Sequence, residues 1–280
     1  MSRQSYYRAF WRQSQKRDVA VKVVAMVGVV RRDLPRIGTR KLYHILKEPL
    51  SELGVGRDKL FTIMKANNMG IKPQRSYRTT TNSRHMFRKH KNLVEGVTPT
   101  RPEQIWVSDI TYIGSRGNHQ YLSLVTDAYS KKILGYDLSK NLHARGSINA
   151  LRMAIRNRRY QNKPLIHHSD RGIQYCCEAY QNQIKKNNLI CSMTESYDPY
   201  ANAVAERING IIKSEFELEK YAHNPGLLKV IVKESIQAYN TLRPHYSCSM
   251  LTPEEMHRQN KVSIKTYGKK CPQGYPWGLT

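Results

Sequence analysis

Along the first 70 residues the apolar positions recur at helical spacing. Residues 19–30 are rich in valine, which alone would suit a strand, but the even spread of apolar positions favours a buried helix. Pro35-Arg-Ile-Gly38 interrupts it. From Arg40 onward, Leu42, Ile45 and Leu46 share one face of a second helix. A turn with two glycines follows over residues 51–56. A short helix over residues 58–67 then turns Leu60, Ile63 and Met64 inward and stops near Gly70. Helix, glycine-bearing turn and basic second helix outline a helix-turn-helix, with Arg40, Arg57 and Lys59 as candidate DNA contacts. Any small helical hairpin would share that outline.

Residues 71–102 lose the periodicity. Lys72, Arg75, Arg78, Arg84, Arg88, Lys89, Lys91 and Arg101 stand there against the single acid Glu95, which reads as a basic linker, partly helical over residues 86–94 and directed at phosphate. From residue 103 the pattern becomes α/β. Residues 105–113, 119–125 and 132–138 read as strands, 147–158 as a helix, 164–168 as a strand, 178–188 as a helix and 189–193 as a strand. Helical patterns follow at 202–221 and 227–242. Three hairpin-connected strands followed by alternating helix and strand describe a ribonuclease-H-like sheet. The expected organisation is a helical region (1–70), a linker (71–102), an α/β core (103–260) and a tail (261–280).

Charge narrows the partners. Lys plus Arg number 47 against 21 Asp plus Glu, a formal net charge of +26, so a polyanion is expected. The five cysteines, Cys176, Cys177, Cys191, Cys248 and Cys271, have no CxxC spacing, which speaks against a zinc site or disulfide framework and for thiols in a reducing cytosol. The apolar stretch over residues 19–30 is short and broken by Lys22, so no membrane span is expected.

Within the α/β part three acids stand out. Asp109 ends the run Gln104-Ile-Trp-Val-Ser-Asp109, Asp170 follows a second strand-like segment in His167-His-Ser-Asp170-Arg-Gly, and Glu206 lies in a helical pattern. Three carboxylates so placed can gather hard oxygen ligands around two Mg²⁺ ions, the chemistry of in-line attack at a phosphodiester. On the helix of Glu206, the residues Asn202, Asn209 and Lys213 share its stripe, while Val204, Ile208, Ile211 and Ile212 form an apolar one. The polar stripe is expected to face a cleft, with Asn202, Asn209 and Lys213 as further DNA contacts.

The strings around these acids resemble a known family. Trp106-Val-Ser-Asp109-Ile-Thr-Tyr112, His168-Ser-Asp170-Arg-Gly172-Ile-Gln-Tyr175, Asn202-Ala-Val-Ala-Glu206-Arg with Lys213-Ser-Glu215, and Tyr239-Asn-Thr-Leu-Arg243-Pro-His245 look like the DDE transposases of the insertion-sequence-three family, in their second-frame, integrase-like part. Pro35-x-x-Gly38-x-Arg40-x-Leu42 resembles the start of that family's helix-turn-helix, and Thr252-Pro253-Glu-Glu its C-terminal signature. The resemblance implies an integrase-like catalytic core behind a helix-turn-helix, with Asp109, Asp170 and Glu206 holding two Mg²⁺ ions, for which Mn²⁺ can substitute. His168, Thr111, Tyr175 and Asp127 would support the metal site. It implies DNA as partner, both the terminal inverted repeats of an element and target DNA, and self-association on that DNA. It also implies a bacterial, nucleoid-associated location in the cytoplasm.

Two departures qualify this. The family carries an acid before the position of Asn202, where this chain has Ala201, which raises a decayed copy as an alternative. Family members are usually fused by frameshifting to an upstream frame with a leucine zipper, and this chain shows no heptad repeat, so an upstream-frame partner is expected. A DNA-binding protein without activity and a ribonuclease-H-type nuclease remain as other readings. A retroviral-type integrase is disfavoured, because no His-His-Cys-Cys module precedes Asp109.

Overall fold

In the computed structural model, the described residues are 2–72, 90–114, 119–194 and 203–265. The first helix, α1 (Arg3–Asp33), is longer than the valine-rich stretch suggested. Residues 3–27 contain neither Gly nor Pro, and Ser2 caps the start by accepting from the Ser5 amide at 3.2 Å. At 1.5 Å per residue α1 extends about 46 Å. Only Val23 and Val27, one turn apart, are buried, whereas Tyr6, Tyr7, Phe10 and Trp11 are exposed.

Three short helices follow, α2 (Thr39–Ile45), α3 (Lys47–Glu52) and α4 (Arg57–Ala66). Residues 51–52, expected in a turn, belong to α3. Pro49 is tolerated there because the first helical turn has no amide partners to lose, and Leu50 is buried. Gly54 then takes the left-handed conformation (φ +61°), and the Val55 amide reaches back to the Leu50 carbonyl at 2.8 Å, which ends α3 and aims α4.

The sheet contains β1 (Ile105–Ile113), β2 (Gln120–Asp127), β3 (Ile133–Ser139), β4 (Ile166–Ser169) and β5 (Ile190–Met193), in the order β3-β2-β1-β4-β5. β1 to β3 are antiparallel, and β4 and β5 run parallel to β1. All five strands expected from the sequence are present within two residues at either end. The helical expectation over 86–94 falls mainly outside the described residues, and residues 90–94 are not helical.

Side chains of β1 alternate between two cores. Trp106 and Ile110 face one side, where α5 (Ala144–Arg156), α6 (Ile173–Cys176) and α7 (Glu178–Lys186) supply Leu151, Tyr175, Tyr180 and Ile184. α5 lies so close to β3 that a Cβ on Gly135 would stand 2.0 Å from the Ala150 carbonyl oxygen, so only glycine fits. Ile113 faces the other side, covered by α8 (Ala203–Glu215) and α9 (Pro225–Thr241). The helix expected over 202–221 breaks after Glu215, where Glu217 is left-handed (φ +53°) and lets Phe216 and Leu218 both turn inward.

The N-terminal helices share this second core. Val23, Leu42, Leu60 and Met64 belong to one apolar cluster with Ile208, Ile212, Val232 and Tyr239. At the C-terminal end α10 (Pro253–His257) opens on a capping box between Thr252 and Glu255. Val262 and Ile264, beyond residue 260, still pack against the cluster of Tyr129, Cys248 and Met256.

Candidate active site

The register of the sheet places the first two acids. Ser108 of β1 pairs with Ser169 of the parallel β4, so one residue further Asp109 and Asp170 lie side by side on neighbouring strands, whose spacing is about 4.8 Å. Asp109 points away from Trp106 and Ile110, toward α8, by the period of two. There the Asn209 side chain donates to Asp109 Oδ2 at 2.7 Å. Asp170 accepts from the Gly172 amide at 3.0 Å, an Asx-type turn that fixes its carboxylate at the end of β4. Glu206 lies three residues before Asn209, on the same side of α8, and is exposed.

The three acids feel one another. Burial, then the negative charge of Asp170, push the Asp109 carboxyl up to about 7, against the opposing pull of the Asn209 hydrogen bond; Glu206 adds a smaller push. The Glu206 carboxyl is also raised, by burial and by Asp170. Among the described residues no three His, Cys, Asp or Glu side chains close into a cage for a metal ion.

The sheet beneath the acids is held by neutral, buried groups. Burial, then the neighbouring His168, lower His167 to about 3, which leaves it neutral. It exchanges hydrogen bonds with Ser108 Oγ at 2.8 Å and the Tyr180 hydroxyl at 2.9 Å. His168 Nδ1 meets Ser192 Oγ at 2.9 Å, tying β4 to β5. Tyr175 is buried edge-on against Tyr180 and feels the charges of Asp170 and Asp109. Thr111 follows Asp109 on the same face of β1.

Several residues lie elsewhere than the helical stripe implied. Asn209, expected as a DNA contact, is buried and hydrogen-bonded to Asp109, because α8 packs this position onto β1. Lys213 is tucked over the Tyr112 ring at 4.7 Å and pairs with Glu219 at 3.8 Å. Asp127 opposes Trp106, three residues or about 10 Å along the sheet from Asp109, and does not support the acids. Its oxygens instead take the Glu103 amide at 2.9 Å and Ser130 Oγ at 2.6 Å. Arg40, Arg57 and Lys59 are exposed, the last two at the start of α4, where Arg57 pairs with Asp58 at 2.9 Å. Asn202 and Ala201 lie outside the described residues.

The chain is similar to known proteins. Two models of the integrase core domain match residues 99–199 and 187–253. The insertion element IS600 uncharacterized 31 kDa protein of Shigella sonnei is 32% identical over 258 residues, 90% of this chain and 93% of that protein. Transposase InsF for insertion sequence IS3fB of Escherichia coli (strain K12) is 31% identical over 200 residues, 70% of this chain and 69% of that one. The chain belongs to the IS3 family of transposases. In fold, this transposase is similar to a chain of the simian T-cell lymphotropic virus intasome in complex with PP2A regulatory subunit B56 gamma, at 18% identity and a TM-score of 0.52, covering 87% of this chain and 80% of that one. Its reaction is polynucleotidyl transfer in DNA integration, and its partner is DNA. No helix among the described residues is long and apolar enough to cross a membrane.

One consequence of the crowded carboxylates is measurable without metal. The Asp109 carboxyl keeps its proton to about pH 7 in the folded chain, against about 4 when unfolded. Between those values the folded state binds more protons, so stability falls as pH rises from about 4 to about 7. With allowance for solvent at a half-buried group, Asp109→Asn is expected to raise chelator-treated stability at pH 8 on the order of 1–3 kcal/mol, and much less at pH 4. Urea denaturation at the two pH values measures this. The same pH dependence in both proteins would sink the assignment.

Proposed function

We propose that this transposase cuts and joins DNA strands with Asp109, Asp170 and Glu206 as ligands of two Mg²⁺ ions. The adjacency of Asp109 and Asp170 across the β1–β4 register is the observation that carries the reading. The donor set suits a hard divalent cation: all three ligands are carboxylates, and their mutual repulsion is relieved by positive charge. The buried Asn209 Oδ1 beside them has no hydrogen-bond partner among the described residues, an acceptor left over for a water at the ions. Bound there, the ions would activate a water or a DNA 3′-hydroxyl and stabilise the leaving 3′ oxygen.

The chain's own residues do the positioning. Asn209 holds Asp109 through Oδ2, and the turn at Gly172 holds Asp170 through Oδ1. The neutral His167 and the hydroxyls of Ser108 and Tyr180 fix the strands beneath without adding charge. Arg57 and Lys59, at the exposed start of α4, are placed to meet phosphates if α2 to α4 act as a helix-turn-helix on the element's ends. Self-association on that DNA follows from the need to bring two ends together.

The test is to express the chain, alone and fused to the frame upstream of it, in cells carrying the flanking DNA, and to amplify the junction of joined ends. The junction is expected with the fusion and is expected to vanish with Glu206→Gln. No junction from either form, despite soluble protein that binds the ends, would overturn the reading in favour of an inactive end-binding copy.

A further inference from the structure

The motifs that the carboxylate chemistry leaves unused converge on one place. Pro35-Arg-Ile-Gly38 leads into α2, Glu215 ends α8, and Arg243-Pro-His245 follows α9. Arg243 donates from Nε and Nη2 to both oxygens of Glu215 at 2.6 Å, while Nη1 meets His245 Nε2 at 2.7 Å. Lys41 of α2 reaches the same carboxylate at 3.8 Å, and the Arg36 amide donates to the Glu215 carbonyl at 3.1 Å.

Beside this knot runs a groove of about 520 Å³ between the N-terminal helices and the core, lined among others by Arg36, Arg40, Lys41, Lys72, Ser214 and Tyr246. Among the described residues its one lining carboxylate, Glu215, is already satisfied by Arg243 and Lys41, so the other described cations of the groove have no acid facing them there. Arg36 Nη1 is buried without a hydrogen-bond partner among the described residues, although Nη2 donates to the Lys72 carbonyl at 2.5 Å. Crowding shows in Lys41, which burial first, then the charge of Arg243, lower to about 8. Such a cleft suits oxyanions held by several donors at once.

We propose that this groove holds backbone phosphates of the DNA strand being processed, about three to four nucleotides from the bond that the carboxylates act on. The spacing follows from α8, which carries Glu206 near one end and Ser214 at the other. Eight residues of helix span about 12 Å, against about 3.4 Å of duplex axis per phosphate on one strand. The groove thus sets the register of the strand, and it places a contact at the seam between the N-terminal helices and the core. The proposal rests on the carboxylate reading for the spacing alone.

Binding of a labelled duplex from the DNA flanking the coding sequence, followed by anisotropy against salt in chelator, tests the groove apart from catalysis. Arg40→Ala with Lys72→Ala removes two exposed cations of the groove, and Lys229→Ala with Lys233→Ala removes two exposed cations of α9 as an equal change in charge. The groove pair is expected to lower the salt slope by about 1–2 and to weaken binding about tenfold or more, with the α9 pair little changed. Uncharged methylphosphonates three to four nucleotides from the element's end are expected to weaken wild-type binding and to leave the groove variant unmoved. An unchanged slope for the groove pair, or equal losses from both pairs, overturns the proposal. Glu206→Gln is expected to bind as wild type, so a failure of the metal reading leaves this result standing.

Discussion

Glu206→Gln is expected to abolish strand cleavage and joining while leaving DNA affinity unchanged. The glutamine keeps the shape of the side chain and the helix that carries it, and removes one negative charge. A metal-held transition state draws several kcal/mol from its ligands, and each 1.4 kcal/mol is a factor of ten, so a loss of about 10³-fold or more is expected. Glu206 is exposed, so folding is left alone. Single-turnover cleavage of a duplex carrying the element's end, in saturating Mg²⁺, is the measurement. Cleavage within a few-fold of wild type would remove Glu206 from the ligand set and return the α8 acid to an ordinary surface role.

The second large effect concerns stability. Arg243→Met is expected to destabilise the chain by about 3–5 kcal/mol, because it leaves Glu215 partly buried with only the more distant Lys41 as partner. The bidentate contact and the bond to His245 vanish together. His245 is held well below its usual titration range by burial and by Arg243, so at neutral pH it accepts from the guanidinium and cannot replace its charge. Adding Glu215→Met should recover much of the loss, since a buried ion pair is costly to break and cheaper to replace whole. Urea midpoints of the single and double variants decide it. A single variant within about 1 kcal/mol of wild type would show that the knot contributes little to the fold.

β1 and β4 were legible as short, largely buried segments, with Asp109 inside the first and Asp170 just after the second standing out as acids. Glu206 was legible through the strings beside it. What remained hidden depends on how elements meet. The stripe on α8 was correctly periodic, yet it could not say that Asn209 would be pressed against β1 while Glu206 stayed in the open. α3 was hidden by its own proline, and the exposed half of α1 by its want of an apolar pattern. The Arg243–Glu215 pair joins residues 28 apart, and nothing local in either segment announces the other. Glu215 and Arg243 stood in recognised strings without a role, and that was the only signal available.

A second buried polar knot lies at the start of β1. Glu103, fully buried and left-handed (φ +53°), takes the Arg159 and Tyr160 amides at 2.8 and 2.9 Å and meets His257 at 3.2 Å, a partner 154 residues later. The same imidazole lies 3.5 Å from Asp127, and these carboxylates hold its proton more firmly than usual despite burial. On a ribosome adding about 5–20 residues per second, the chain waits about 8–30 s between making Glu103 and making His257. Until then Glu103 has Arg158, at 3.6 Å, as a partner, and the imidazole that both carboxylates share is missing. Ribosome-held chains that stop before His257 are expected to be cut by protease within β1, where full-length chains resist.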